Sequence, residues 1–230
     1  MAVTKGKTLW EIMQEKMFGS KEPEVIPVFK QICNPLDAQP GRYLGFDVLD
    51  YRGKQYGITK VSEWLVTKDG MTQKFANYEA VAGDEVVSLL VIPTSAGVKA
   101  ILFSRYDSVG ADSEDGRAIA GYTDDKGEKV PGIVSAPVGD FKVDIDDKDI
   151  HEQYFRVDDV KVSYMATVRS IQSPAGSLVP SEIEYWDYWR KTQEDGVDIT
   201  QYFYVLQDTS SGWLTLNRGA EIDIRRVTLY

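Results

Sequence analysis

The sequence predicts a mainly β protein of the α+β class, built from twisted antiparallel sheets or a partly open barrel. From Arg42 onward, strand-length runs rich in β-branched and aromatic residues follow one another, and this composition favours strands. Turn signals separate the runs, most clearly Asp69-Gly70, which supplies the positive φ angles of a hairpin turn. The clearest helical periodicity lies in one short segment near the N-terminus.

Residues 1–41 are predicted to form a short amphipathic helix followed by a proline-rich connector. Large apolar side chains recur at spacings of three and four over residues 8–18, and Thr8 with Glu11 matches a capping box. Four prolines then fall within residues 20–41, which indicates an extended spacer. The apolar stripe of the helix consists of Leu9, Trp10, Met13, Met17 and Phe18.

Two β-modules are predicted, at residues 42–106 and 153–230. The first contains strands at residues 42–49, 55–67, 71–81, 85–92 and 98–105. The second contains strands at residues 153–157, 161–171, 182–189, 201–206 and 212–218, and ends in a short helix or an edge strand. Thr72-Gln73-Lys74-Phe75 resembles Thr200-Gln201-Tyr202-Phe203, so an internal repeat of two similar β-modules is one alternative, and whether the two are true repeats stays open.

Residues 107–152 are predicted to form an acidic, loop-rich excursion between the modules. Large apolar side chains are sparse there, while Asp, Gly and Ser are frequent. Such a segment has little apolar surface to repay the entropy of ordering it. We therefore expect the part at residues 107–132 to be mobile.

The charge of the chain argues against nucleic-acid binding. The formal net charge is −10, and nearly all of the excess acid lies between Asp107 and Asp159. No basic stripe compensates for it, so the protein repels a phosphate backbone.

Cysteine and histidine are too few for several kinds of site. Cys33 is the only cysteine and His151 the only histidine, so an intrachain disulfide and multi-cysteine or two-histidine metal motifs are excluded. The carboxylates from Asp144 to Asp149 lack the glycine and glutamate positions of an EF-hand loop. We expect no metal and no cofactor, since phosphate-binding glycine loops are absent as well. With no signal peptide, the chain is expected to be cytoplasmic.

Carboxylates among aromatic residues in the segment 182–189 form an alternative catalytic site. Glu182, Glu184 and Asp187 are the candidate acids and bases of a hydrolase acting on a sugar-like substrate. In a strand, however, alternate residues face opposite sides. Asp187 would then share one face with Tyr185 and Trp189, while Glu184 takes the other. A strand packed on both sides by aromatics is the preferred interpretation, and Tyr202, Phe203, Tyr204 and Trp213 are likewise assigned to the core.

The N-terminal helix is the candidate partner-binding element. A helix of about 11 residues is marginal in isolation, so its apolar stripe must be docked on its own domain or bound to a partner. Lysines flank the stripe, which suits a membrane surface, but Glu11 and Glu15 weaken that alternative. We favour a protein partner or self-association.

Met17-Phe18-Gly19, the segment from Tyr51 to Tyr56 and the segment from Gly212 to Gly219 carry a family resemblance. In layout the chain resembles the YjfK-like group of bacterial β-rich proteins, associated with the phage-shock type of membrane-stress response. The resemblance implies a non-enzymatic accessory role in envelope stress. The sequence as a whole therefore predicts a cytoplasmic binding or scaffold protein, with the carboxylate-dependent hydrolase as the alternative.

Overall fold

A computed structural model describes residues 39–68, 71–95, 97–135, 141–145, 150–156, 164–172, 179–194 and 196–230. The predicted N-terminal helix, with Leu9, Trp10, Met13, Met17 and Phe18, lies outside these residues, as does most of its connector.

The described residues form a mainly β structure, as the sequence predicts. They contain fourteen strands, one short α-helix and three 3-10 turns, at Leu49–Tyr51, Ile133–Ser135 and Ile224–Arg226. The helix α1 is Glu114–Ala120. The strands are β1 Tyr43–Phe46, β2 Gln55–Lys68, β3 Met71–Ala82, β4 Glu85–Thr94, β5 Gly97–Gly110, β6 Gly121–Thr123, β7 Lys129–Pro131, β8 Phe141–Ile145, β9 Ile150–Arg156, β10 Tyr164–Ile171, β11 Val179–Glu194, β12 Val197–Asp208, β13 Trp213–Ile222 and β14 Val227–Leu229.

Eight of these strands close into a barrel. They follow one another in the order β2, β3, β4, β5, β13, β12, β11 and β10, and every neighbouring pair is antiparallel. The ring is complete because β10 pairs with β11 along one edge and with β2 along the other. The predicted antiparallel β architecture is thus confirmed, and the barrel is closed where the sequence suggested a partly open one.

Both predicted β-modules contribute strands to this one barrel. Residues of the first module form the meander β2–β5, and residues of the second form the meander β10–β13. The two meanders meet where β5 pairs with β13 and where β10 pairs with β2. A common origin of the two halves by duplication stays a prediction.

The interior of the barrel is packed mainly with apolar side chains from seven of its strands. Alternate residues of a strand face opposite sides of the sheet, and the cross-strand register places the members of one buried cluster on the inner side. That cluster consists of Trp64, Val66, Phe75, Leu90, Ile101, Phe103, Ala166, Val168, Ile183, Tyr185, Tyr202 and Tyr204. An eight-stranded barrel is about wide enough to be filled in this way or to hold one small ligand.

Two further layers cover parts of the barrel's outer surface. Strands β1 and β14, with the 3-10 turn at Ile224–Arg226, pack on the outer side of β2–β5 around Tyr56, Tyr78 and Leu89. Strand β9 joins the second half of β11, and Tyr154 from β9 packs on the outer side of β12 against Phe203. Strands β2–β5 and β11–β13 are therefore buried on both faces in places, which accounts for their nearly continuous apolar runs.

The acidic segment after β5 contains regular structure. Ser113 caps α1, because its Oγ accepts a hydrogen bond of 3.0 Å from the backbone N–H of Gly116. Strands β6 and β7 form a short hairpin, and the buried Val134 packs with Leu214 and Leu216 of the barrel's outer face. The described part of this segment thus contains a helix, a hairpin and a 3-10 turn, and its mobility stays a prediction.

Candidate functional site

Strand β11 carries the three carboxylates of the alternative catalytic site, and it separates them. The register of β11 with β12 pairs Glu184 with Gln207 and Asp187 with Tyr204. Asp187 therefore faces the barrel interior with Tyr204, whereas Glu184 and Glu182 face outward. As the strand alternation predicts, Tyr185 and Trp189 belong to the interior cluster, while Trp186 and Tyr188 belong to the outer one.

The remaining sequence candidates give no second site within the described residues. Cys33 and most of the acidic run from Asp144 to Asp149 lie outside them, and His151 is described only by its backbone position in β9. In the described part of the chain, no three His, Cys, Asp or Glu side chains are grouped closely enough to hold a metal ion.

A cavity opens at one end of the barrel, and we call this end the mouth. It has a volume of about 190 Å³. The β3–β4 turn at Gly83 and the β12–β13 turn at Thr209–Gly212 border this end. Its floor is apolar and is formed by Trp64, Val168, Ile183 and Leu206. The mouths of barrels are frequent ligand sites.

One wall of the mouth consists of polar side chains that bond to one another. Lys60 Nζ lies 3.0 Å from Glu79 Oε1, so this cation and this anion are paired at the rim. Deeper in the wall, Ser88 Oγ donates a hydrogen bond of 2.6 Å to Asn77 Oδ1. The polar groups of this wall therefore have partners within the protein.

The aspartate of the opposite wall is held by its own turn. Asp208 Oδ1 accepts hydrogen bonds from the backbone N–H of Ser210 at 2.8 Å and from its hydroxyl at 2.6 Å. Burial alone would raise the pKa of Asp208, but these hydrogen bonds and nearby Lys60 hold that pKa below its ordinary value. Asp208 is therefore a charged turn residue near neutral pH.

Strand β13 lines the mouth with every second residue. Trp213 stands at the rim with 53% of its surface exposed, Thr215 follows, and Asn217 lies deepest. Asn217 is 92% buried, since its relative exposure is 8%. Its side-chain amide makes no hydrogen bond to any other described residue, and its polar atoms stay accessible from the cavity, unlike the enclosed Arg169 Nε and Tyr188 hydroxyl.

Arg105 of β5 stands directly opposite Asn217 in the β5–β13 ladder. The β-bulge beside Asn217 shifts the register there, and both side chains line the cavity. Side chains that are opposite in an antiparallel pair have Cβ atoms only about 4.5–5.5 Å apart. Within the described residues the Arg105 guanidinium has neither an ion-pair nor a hydrogen-bond partner, unlike Lys60, Glu79 and Asp208.

The far end of the barrel is polar, and its described groups contact one another. Lys99 Nζ donates to the Tyr202 hydroxyl at 2.5 Å and lies 3.9 Å from Glu221 Oε2. Desolvation lowers the pKa of Lys99, although Glu221 and Asp187 oppose this shift. Burial likewise raises the pKa of Tyr202. Asp187 thus belongs to a charged network at this end, away from the mouth.

A broader concavity of about 700 Å³ lies outside the barrel, beside the 3-10 turn that contains Tyr51. Its cations are partly engaged: Arg218 bonds to the buried carboxylate of Glu152 at 2.8 Å, and Arg52 Nε lies 2.8 Å from Asp47. Unlike the mouth, it shows no buried polar side chain that lacks a partner in the described part of the chain.

Sequence reasoning identified strand 212–218 but not the site on it. It assigned Trp213 to the core, whereas the structure places this residue half-exposed at the rim. The available signal was the alternation Trp213, Thr215, Asn217, which puts polar groups on one face of a strand. In the structure that face is the barrel interior. The local sequence pattern does not predict which face of a strand lies inside a barrel.

Comparison of the chain with protein-family models, curated proteins and solved structures finds no match. The site therefore defines the class of protein by geometry alone: a closed antiparallel barrel with a polar-walled cavity at one end. None of the helices in the described part of the chain has the length and hydropathy that a membrane crossing requires.

Proposed function

We propose that this is a non-enzymatic binding protein that takes a small polar ligand into the mouth of its barrel. The observation that carries the proposal is Asn217, a side-chain amide that is 92% buried, lines the cavity and has no partner among the described residues. The amide atoms are open to the cavity, because Asn217 is not one of the described residues that enclose a polar atom completely without a hydrogen bond, as Arg169 does at its Nε. A ligand in the cavity can therefore hydrogen-bond to this amide.

The shape of the cavity supports a small ligand. A volume of about 190 Å³ is below the range of about 300–1,000 Å³ that holds drug-sized molecules. The apolar floor suits a ligand with a hydrophobic body, while Trp213 at the rim offers an aromatic face for stacking. The site thus combines an apolar surface with a few directed polar groups, which is how ligand sites are generally built.

Binding is favoured over catalysis by the state of the carboxylates. Glu79 is paired with Lys60, and Asp208 is fixed by Ser210. The hydrolase alternative depends on Glu182, Glu184 and Asp187, and the register of β11 directs Asp187 away from the other two. The two carboxyl groups of a glycosidase flank the same bond of the substrate. Carboxylates on opposite faces of one strand do not favour that arrangement.

The variant Asn217→Leu tests the proposal. A leucine removes the unpartnered amide and keeps a similar volume, so the melting temperature should stay equal or rise. Binding of mouth ligands, found by screening small fragments with ligand-observed NMR, should be lost. Gln207→Ala is the matched control, because Gln207 carries an amide on the outer face of the neighbouring strand. If Asn217→Leu retains every fragment that the wild-type protein binds, the mouth is not the site.

A second proposed function concerns a protein partner of the N-terminal segment. The apolar stripe of Leu9, Trp10, Met13, Met17 and Phe18 supports self-association or partner binding, and the family resemblance would place this contact in a cytoplasmic membrane-stress response. Trp10→Glu should lower the oligomer mass or the recovery of a partner without changing the melting temperature. Unfolding of the protein by this substitution would instead assign the stripe to the core.

A further inference from the structure

We infer that the mouth selects a small monocarboxylate with an apolar body, held by Arg105 and Asn217. This inference rests on the proposed binding function and names its ligand class. Arg105 is the charged group of the mouth that lacks an ion-pair partner within the described residues, whereas Lys60 is paired with Glu79 at 3.0 Å. An anion is the ligand group that such a guanidinium recognises.

The pairing of Arg105 with Asn217 suits the geometry of a carboxylate. The two residues are opposite each other in the β5–β13 ladder and both line the cavity. A guanidinium presents a planar fork of N–H donors that matches the two oxygens of a carboxylate. The Asn217 amide can donate a further hydrogen bond to the same group from the buried side of the cavity.

The surrounding charges favour a carboxylate over a phosphate. Glu79 and Asp208 also line the mouth, so an anion with a charge near −2 would be repelled more strongly than one with a charge of −1. Arg105 supplies one unpaired positive charge, which neutralises a single carboxylate. The apolar floor of Trp64, Ile183 and Leu206 is then available to the rest of the ligand.

Benzoate and benzamide form a matched pair of probes, because they share size and ring and differ in charge. Isothermal titration calorimetry near neutral pH should show binding of benzoate, and benzamide and inorganic phosphate should bind more weakly. Arg105→Gln should weaken the binding of benzoate by about tenfold to a hundredfold, which corresponds to the loss of a charge-assisted hydrogen bond. The affinity for benzamide should stay nearly unchanged. Arg52→Gln is the control, since it makes the same charge change at a residue paired with Asp47, outside the mouth.

The outcomes separate the ligand class from the binding function. If benzamide or phosphate binds as tightly as benzoate, or if Arg105→Gln has no effect on benzoate, the carboxylate inference is overturned. The mouth remains a binding site in that case provided that Asn217→Leu still abolishes binding of neutral fragments. If neither benzoate nor any neutral fragment binds in an Asn217-dependent way, both the inference and the proposed function fail.

Discussion

The hydroxyl oxygens of Ser62 and Ser170 lie 3.0 Å apart, buried at the seam where β2 and β10 close the barrel. Replacing either serine with alanine leaves the other hydroxyl without this partner, so each single variant should lose about 1–3 kcal/mol of unfolding free energy. The double variant should lose clearly less than the sum of the two single losses, because it leaves no hydroxyl without its partner. Urea denaturation of the four proteins measures this coupling, and strict additivity would show that the two hydroxyls do not interact.

The two buried glutamates on the outer surface of the barrel should differ in their contribution to stability. Glu152 bonds to Arg190 and Arg218, whose side chains are 17% and 31% exposed. Glu63 bonds to Lys74 and Arg169, which are 49% and 43% exposed. Removing a carboxylate leaves its cations without an ion-pair partner, which lowers the free energy of unfolding by about 3–5 kcal/mol when they are buried.

We therefore expect Glu152→Gln to destabilise the protein more than Glu63→Gln, because the cations around Glu63 reach solvent more readily. Chemical denaturation gives the two free energies of unfolding. An equal or reversed order would mean that the burial of the cations does not govern the cost.

The stability contributed by Glu63 should disappear in acid. Burial raises the pKa of Glu63, but hydrogen bonds from Lys74 and Arg169 outweigh this and lower it overall. The folded-state pKa is then below the unfolded value of about 4.3, so the stabilisation is present above that pH and is lost as the pH falls through the folded pKa. The difference in unfolding free energy between wild type and Glu63→Gln should shrink between about pH 6 and pH 3. A difference that grows on acidification would contradict the assignment.

Gly219 should tolerate no side chain. A Cβ at this position would lie 2.5 Å from Phe103 Cδ1 and 2.6 Å from the Leu102 carbonyl oxygen, so Gly219→Ala forces the interior of the barrel to shift. We expect a loss of about 1–3 kcal/mol, typical of overpacking. Gly110→Ala is the control, because no heavy atom lies within 4 Å of its Cβ. Similar melting temperatures for the two variants would refute the packing around Gly219.

The strands could be predicted from the sequence because their signals are local. β-branched and aromatic runs such as residues 201–206, and turns such as the one between β12 and β13, depend on neighbours in the chain. The closure of the barrel depends instead on β10 pairing with β2, for example Ser170 with Ser62 across 108 positions. No local pattern specifies that pairing, and the predicted architecture therefore left the barrel partly open.

The candidate site was missed for the same reason. Arg105 and Asn217 come from β5 and β13, which are separated by the whole acidic segment and three further barrel strands. Neither residue belongs to a motif. The carboxylates of β11 were predicted as an alternative catalytic site because they are neighbours in sequence. Strand alternation directs them to different faces.

The most direct test of the account is to follow side-chain resonances of the mouth while benzoate is titrated into the ¹⁵N-labelled protein. We expect the Asn217 side-chain amide, the Trp213 indole N–H and the Arg105 guanidinium N–H to shift together along one binding curve. The side-chain amide of Gln207, on the outer face, should stay in place. Shifts confined to residues outside the mouth, or no shift of Asn217 at saturating benzoate, would contradict the claim that this cavity binds a carboxylate.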